Sequence, residues 1–112
     1  LDNFDYGDLF DTPFPMTKAD RIRTFASASS HAMTLCAVDL DQNGKPRKWK
    51  VENSWGPTNG VGGHLIMTDG WFDEYTFRLV VDKKYVPAAT LRLLEQKPTL
   101  LPAWDPLFKG EE

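Results

Sequence analysis

From Arg47 to Trp55 apolar and polar residues alternate. Trp49, Val51, Asn53 and Trp55 fall on one side, and Lys48, Lys50, Glu52 and Ser54 on the other. A period of two is that of a half-buried β-strand. The stretch His31 to Leu40 alternates in the same way and predicts a partner strand. Asp41-Gln42-Asn43-Gly44 lies between them, and Asn43-Gly44 accepts the positive φ of a tight hairpin. Four glycines and a proline between Gly56 and Gly63 predict a loop. His64-Leu65-Ile66-Met67 then restarts a strand, and Thr76 to Val81, rich in β-branched and aromatic residues, supplies another. Helical spacing flanks this sheet. Thr17 with Asp20 three residues on resembles a capping box, opening a helix over 17–28 with Ile22, Phe25 and Ala26 facing inward. Pro87 suits the first turn of a second helix over 87–97, with Leu91 and Leu94 inward and Pro98 as its stop. Residues 1–16 read as an irregular lead-in and 98–112 as a Pro/Trp tail. The class is therefore α+β: one domain over 1–112, with a small antiparallel sheet or partial barrel over 31–86 and short flanking helices.

Composition sharpens this only in places. Four Trp and seven Phe in 112 residues favour a packed core over disorder. The net charge of −3 is mild and the basic residues are scattered among acids, so neither nucleic acid nor a membrane surface is expected as a partner. No apolar run approaches the ~20 residues that span a bilayer. A single cysteine allows no internal disulfide and suits a reducing cytosol. The chain opens at Leu1 without a Met, which suits a fragment.

The residue that breaks the apolar side of the central strand is Asn53, set between Val51 and Trp55. Burying its amide unpaired would cost roughly 1–3 kcal/mol, so it needs a partner. His31, itself among apolar residues, is the richest candidate. An Asn that accepts from one imidazole nitrogen fixes the tautomer and leaves the other nitrogen free to act on a thiol.

Asn53-Ser54-Trp55-Gly56, preceded by His31-Ala32-Met33 and followed by a Gly-rich turn, resembles the C-terminal half of a papain-like cysteine peptidase. His31-Ala32-Met33-Thr34, Lys48 to Gly56, Trp71-Phe72-Asp73-Glu74-Tyr75 and Leu101-Pro102-Ala103-Trp104-Asp105-Pro106 narrow the resemblance to the bleomycin hydrolase and aminopeptidase C family. The resemblance implies that this chain is the last part of a longer enzyme. It implies His31 as general base, Asn53 as its orienter and Trp55 as a cover over their hydrogen bond, with the nucleophilic Cys supplied by an N-terminal half. It also implies peptide substrates, a cytoplasmic homo-oligomer, no cofactor, and a C-terminal tail that lies in the cleft. Trp104, Asp105 and Pro106 would anchor that tail. Glu112 would help its carboxylate meet a substrate's free amino group, although the charged ending Phe108-Lys109-Gly110-Glu111-Glu112 departs from the family's usual small, apolar one. A non-catalytic binding or assembly domain that keeps the half-fold is the alternative.

Other candidates have plainer readings. Cys36 lies five residues from His31, an odd offset that puts the two on opposite faces and roughly 16 Å apart. It is expected as a small buried apolar residue rather than a nucleophile. Asp39-Leu40-Asp41-Gln42-Asn43-Gly44 matches the opening of a calcium loop, but the twelfth position is Lys50 where a bidentate Glu belongs. No zinc site is expected, because two His and one Cys lack ligand spacing. His64 reads as a partly exposed strand-end residue. Gly70 stands where the related enzymes often carry an acid, which suggests a looser turn before Trp71-Phe72, and the run from Trp71 to Tyr75 reads as structural.

Overall fold

The computed structural model describes residues 4–108. Three strands, β1 (Thr34–Leu40), β2 (Pro46–Glu52) and β3 (His64–Thr68), form an open antiparallel sheet in the order β1-β2-β3. Short helices flank it: α1 (Tyr6–Phe10), α2 (Lys18–Arg23), α3 (Asp69–Tyr75) and α4 (Ala88–Leu91), the last continued by a 3-10 turn over Arg92–Glu95. The class is α+β, as the alternation implies.

The β1–β2 hairpin closes through its turn acid. Asp41 Oδ1 accepts from the backbone N–H groups of Asn43 (2.8 Å) and Lys45 (2.9 Å), and Gly44 takes φ 79°. This turn engages the Asp41 carboxylate of the calcium-like hexapeptide. In the ladder, Leu35 faces Val51 and Ala37 faces Lys50, so Cys36 is an extra residue in a β-bulge. The bulge keeps Leu35 and Val38, three residues apart, opposite Val51 and Trp49 of one face; on the other side of β2 the same two residues meet Leu65 and Met67. Val51, 1% exposed, is the fully buried apolar side chain among the described residues.

Helix α3 locks that face. Thr68 caps it, accepting from Trp71 N–H at 3.2 Å. Its first acid, Asp69, accepts from the Trp49 indole N–H at 2.8 Å, and Phe72 stacks on Trp49 at 4.3 Å between centroids. Lys18 of α2 donates to the carbonyls of Asp73 (2.6 Å) and Thr76 (2.7 Å) at the C-terminal end of α3. A cation there satisfies orphan carbonyls and opposes the helix dipole. Arg21 reaches the same end, pairing with Glu74 at 2.7 Å and lying over the Tyr75 ring at 4.8 Å.

The structure corrects several sequence expectations. Helix α2 stops at Arg23 rather than running to 28, because Phe25 adopts φ 60°, which no helix continues; Phe25 is half exposed and Ala26 exposed, so only Ile22 of the expected inward stripe is even half-buried. Thr76–Val81 forms no strand among the described residues. Val80 is almost wholly exposed, and β-branched residues make a ladder only where a partner strand lies alongside. Leu94 is 73% exposed while Leu91 is half-buried. Gly70 sits in the first turn of α3 with open space around it, not in a loosened turn. Cys36 is exposed rather than buried, since the bulge lifts it out of the paired register.

Candidate active site

Asn53 follows the last residue of β2, where the strand has given way to the glycine loop. Its backbone N–H donates to Gly63 O at 2.9 Å, which closes the loop on itself. Within the loop, Asn59 Nδ2 donates to Trp55 O at 2.7 Å, and Gly63 N–H donates to Asn59 O at 3.1 Å. Gly60, at φ 64°, is required here, because a Cβ on it would collide with the His64 carbonyl. The loop thus fixes the end of the strand from which the Asn53 side chain projects.

That side chain meets His31. His31 Nε2 lies 2.8 Å from Asn53 Oδ1, and Ser54 N–H donates to the same oxygen at 2.8 Å. Two donors converging on one atom identify it as the amide oxygen. Nε2 therefore carries the imidazole proton, and the lone pair of the neutral ring is left on Nδ1. Asn53 is only 8% exposed, whereas His31 is exposed. The Trp55 ring lies 5.5 Å from the His31 ring, tilted by 40°. A shallow hollow beside the pair is lined by Ala32, Met33, Thr34, Glu52, Asn53 and Ser54. Asn53 Nδ2 is buried without a partner among the described residues. His31 lies ahead of β1 and Asn53 beyond β2, so the expected strand boundaries 31–40 and 47–55 each run a few residues too far. The pairing itself is as the alternation implies.

The other sequence candidates fall elsewhere. Cys36 belongs to the opposite side of the hairpin, where its Sγ, a carboxylate oxygen of Glu52 and a ring nitrogen of His64 all lie within 4.8 Å of one another. The sequence separation of Cys36 and His64 hid this convergence, which the sheet register creates by placing Glu52 opposite both Thr34 and His64. In the tail, Trp104 is 80% exposed, while Asp105 and Pro106 are half-buried. Asp105 Oδ1 accepts from Leu107 N–H at 3.0 Å, and the 3-10 turn Pro106–Phe108 lies beside α2. Glu112 lies outside the described residues. Sequence reasoning missed α3 as a helix, although Thr68-Asp69 ahead of two aromatics carried a capping signal.

The chain as a whole is similar to known proteins. The profile of the Peptidase C1-like family matches residues 1–108. Human bleomycin hydrolase is 52% identical over 94 residues, covering 82% of this chain and 21% of that protein. Aminopeptidase C of Lactococcus lactis is 42% identical over 107 residues, covering 96% of this chain and 24% of its own length. The crystal structure of PepW from Lactobacillus rhamnosis superposes with a TM-score of 0.80 at 46% identity, covering 93% of this chain and 24% of the other. The chain thus spans between a fifth and a quarter of the length of these relatives. With a family profile running almost end to end and relatives this similar, the chain belongs to the Peptidase C1-like family.

Proposed function

We propose that this chain is the C-terminal part of a cysteine aminopeptidase and supplies two of its three catalytic groups. The observation that carries the reading is the 2.8 Å bond from His31 Nε2 to Asn53 Oδ1, which leaves Nδ1 as a base. His31 takes the proton from a thiol supplied by the rest of the enzyme, and the thiolate attacks the scissile carbonyl to give a thioester. The imidazolium returns its proton to the leaving amine, then activates the water that hydrolyses the thioester. Asn53 holds the ring through both transfers. An amide suits this task because it orients the imidazole while adding no charge of its own. Cys36 does not serve as this nucleophile, because it lies with Glu52 and His64 rather than with His31. The substrates are peptides with a free amino terminus, and the enzyme acts as a cytoplasmic homo-oligomer.

The test uses the full-length protein and an aminoacyl-coumarin substrate. His31→Ala should lower kcat by about 10²–10⁴-fold, the range of a lost general base, with circular dichroism unchanged. Activity within a few-fold of wild type would remove His31 from the mechanism and favour a non-catalytic domain.

A further inference from the structure

We infer that Cys36, Glu52 and His64 form a binding site for a zinc ion, separate from the His31–Asn53 pair. Sγ, carboxylate and imidazole converge within 4.8 Å although 28 residues of sequence separate the first from the last. Three features of the fold bring them together. Glu52 and His64 are directly opposite in the β2–β3 ladder. Thr34 opposite Glu52 places β1 alongside. The bulge at Cys36 leaves the thiol outside the paired register, where it donates to the Thr34 carbonyl at 3.4 Å and lies within 4.8 Å of that carboxylate.

The state of His64 favours a ligand. Its Nδ1 lies 3.0 Å from the Gly62 carbonyl; donating there, it leaves Nε2 with the free lone pair. Metal-bound histidines are commonly oriented by such a bond to a backbone carbonyl. In a second thiol–imidazole–carboxylate relay the carboxylate would hold one ring nitrogen; here Nδ1 is held by the Gly62 carbonyl.

The donor set selects the metal. A thiolate, an imidazole and a carboxylate suit borderline Zn²⁺, whereas Ca²⁺ and Mg²⁺ require oxygen ligands. Zinc–ligand bonds of about 2.0–2.3 Å place tetrahedral ligand atoms roughly 3.5 Å apart. Side-chain rotation closes the present spacing, which is at most 4.8 Å, to that value. Cys36 and Glu52 are exposed and His64 half-buried, so water takes the fourth position. On binding, the Cys36 thiol releases its proton to solvent.

Cys36 is the single cysteine of this chain, so its alkylation can be followed by peptide mass spectrometry in the full-length protein. Zn²⁺ should slow iodoacetamide modification of Cys36 by at least ~10-fold, and half-protection should require at least ~10-fold more Zn²⁺ in His64→Ala and in Glu52→Gln. Co²⁺ provides a check on unaltered ligands. The wild-type protein should gain a near-ultraviolet thiolate-to-cobalt band that Zn²⁺ displaces and that Cys36→Ser lacks. A Cys36 alkylation rate indifferent to Zn²⁺, equal protection in His64→Ala, or a cobalt spectrum unchanged by Cys36→Ser would each overturn the assignment.

Discussion

At the scale of single residues, the site depends on one polar side chain in an apolar setting. Asn53 was legible from sequence because an amide between Val51 and Trp55 demands a partner, and His31 was the partner available. The unpaired Nδ2 was not legible, since it depends on what surrounds the side chain after folding. Nor was the fate of Cys36, because a bulge shifts every face assignment beyond it and leaves no mark in the alternation. The roles proposed for Asn53 and Trp55 predict different costs. Asn53→Ala removes the acceptor that fixes the His31 tautomer but leaves the base in place, so kcat should fall less than in His31→Ala. On the proposed role of Trp55 as a cover over the His31–Asn53 bond, Trp55→Ala opens that bond to water, where a hydrogen bond is weaker, and should cost about 10-fold or less in kcat, roughly 1.4 kcal/mol. Steady-state kinetics of the three full-length variants should rank His31→Ala, Asn53→Ala and Trp55→Ala in decreasing severity. A Trp55→Ala defect equal to that of His31→Ala would contradict a covering role.

At the scale of elements, short local signals were read well and tertiary ones were not. The Thr17 cap stands as the capping pattern implies: its hydroxyl donates to Asp20 Oδ2 at 2.7 Å and accepts from Asp20 N–H at 3.1 Å. Within the first turn of the helix it opens, Lys18 and Arg21 reach the C-terminal end of α3. Nothing in residues 17–28 announces that partner. The Thr17 hydrogen bond, with help from Arg23, holds the Asp20 carboxyl below its ordinary value. A depressed carboxyl contributes stability above its unfolded pKa and loses it as pH falls through the lower folded one. Thr17→Ala should therefore move the Asp20 titration up toward 3.8, measurable by carboxyl-carbon NMR; an unmoved titration would leave Arg23 as the cause. The glycine loop makes a sharper demand. Gly60→Ala forces a Cβ against the His64 carbonyl at a positive φ, a backbone strain of order 1–3 kcal/mol. It should lower the melting temperature and, by shifting the Gly63 carbonyl that holds Asn53 N–H, reduce kcat as well. Retention of both would mean that the loop adapts independently of the site.

At the scale of the whole molecule, the chain buries less than a free-standing domain of its size. Its radius of gyration is 17.0 Å, against about 13 Å for a compact domain of similar length. Leu79, Val80, Leu100 and Trp104 are among the large apolar side chains left exposed. The same aromatics predict a packed core, and composition alone does not reveal that so many large apolar side chains stay exposed in this chain. The Leu101–Pro106 motif also finds its meaning at this scale. Asp105 pins the start of the final turn through Leu107 N–H, and that turn lies beside α2, so the tail has a fixed point of departure. Beyond it the sequence carries Glu111 and Glu112, an acidic pair able to attract a substrate's ammonium group. Seating such a pair in a narrow, dry cleft is costly unless that cation meets it. On this reading the tail selects for a free amino terminus and penalises a blocked one, since acetylation removes a charge that compensates the carboxylates. Full-length protein and a version ending at Pro106 should therefore differ in their preference between a free-amine peptide and its acetylated twin. Truncation should raise the kcat/KM of the acetylated peptide relative to the free one by about 10-fold, corresponding to roughly 1.4 kcal/mol of lost discrimination. An unchanged ratio would place the tail outside the cleft and leave substrate-end selection to other parts of the enzyme.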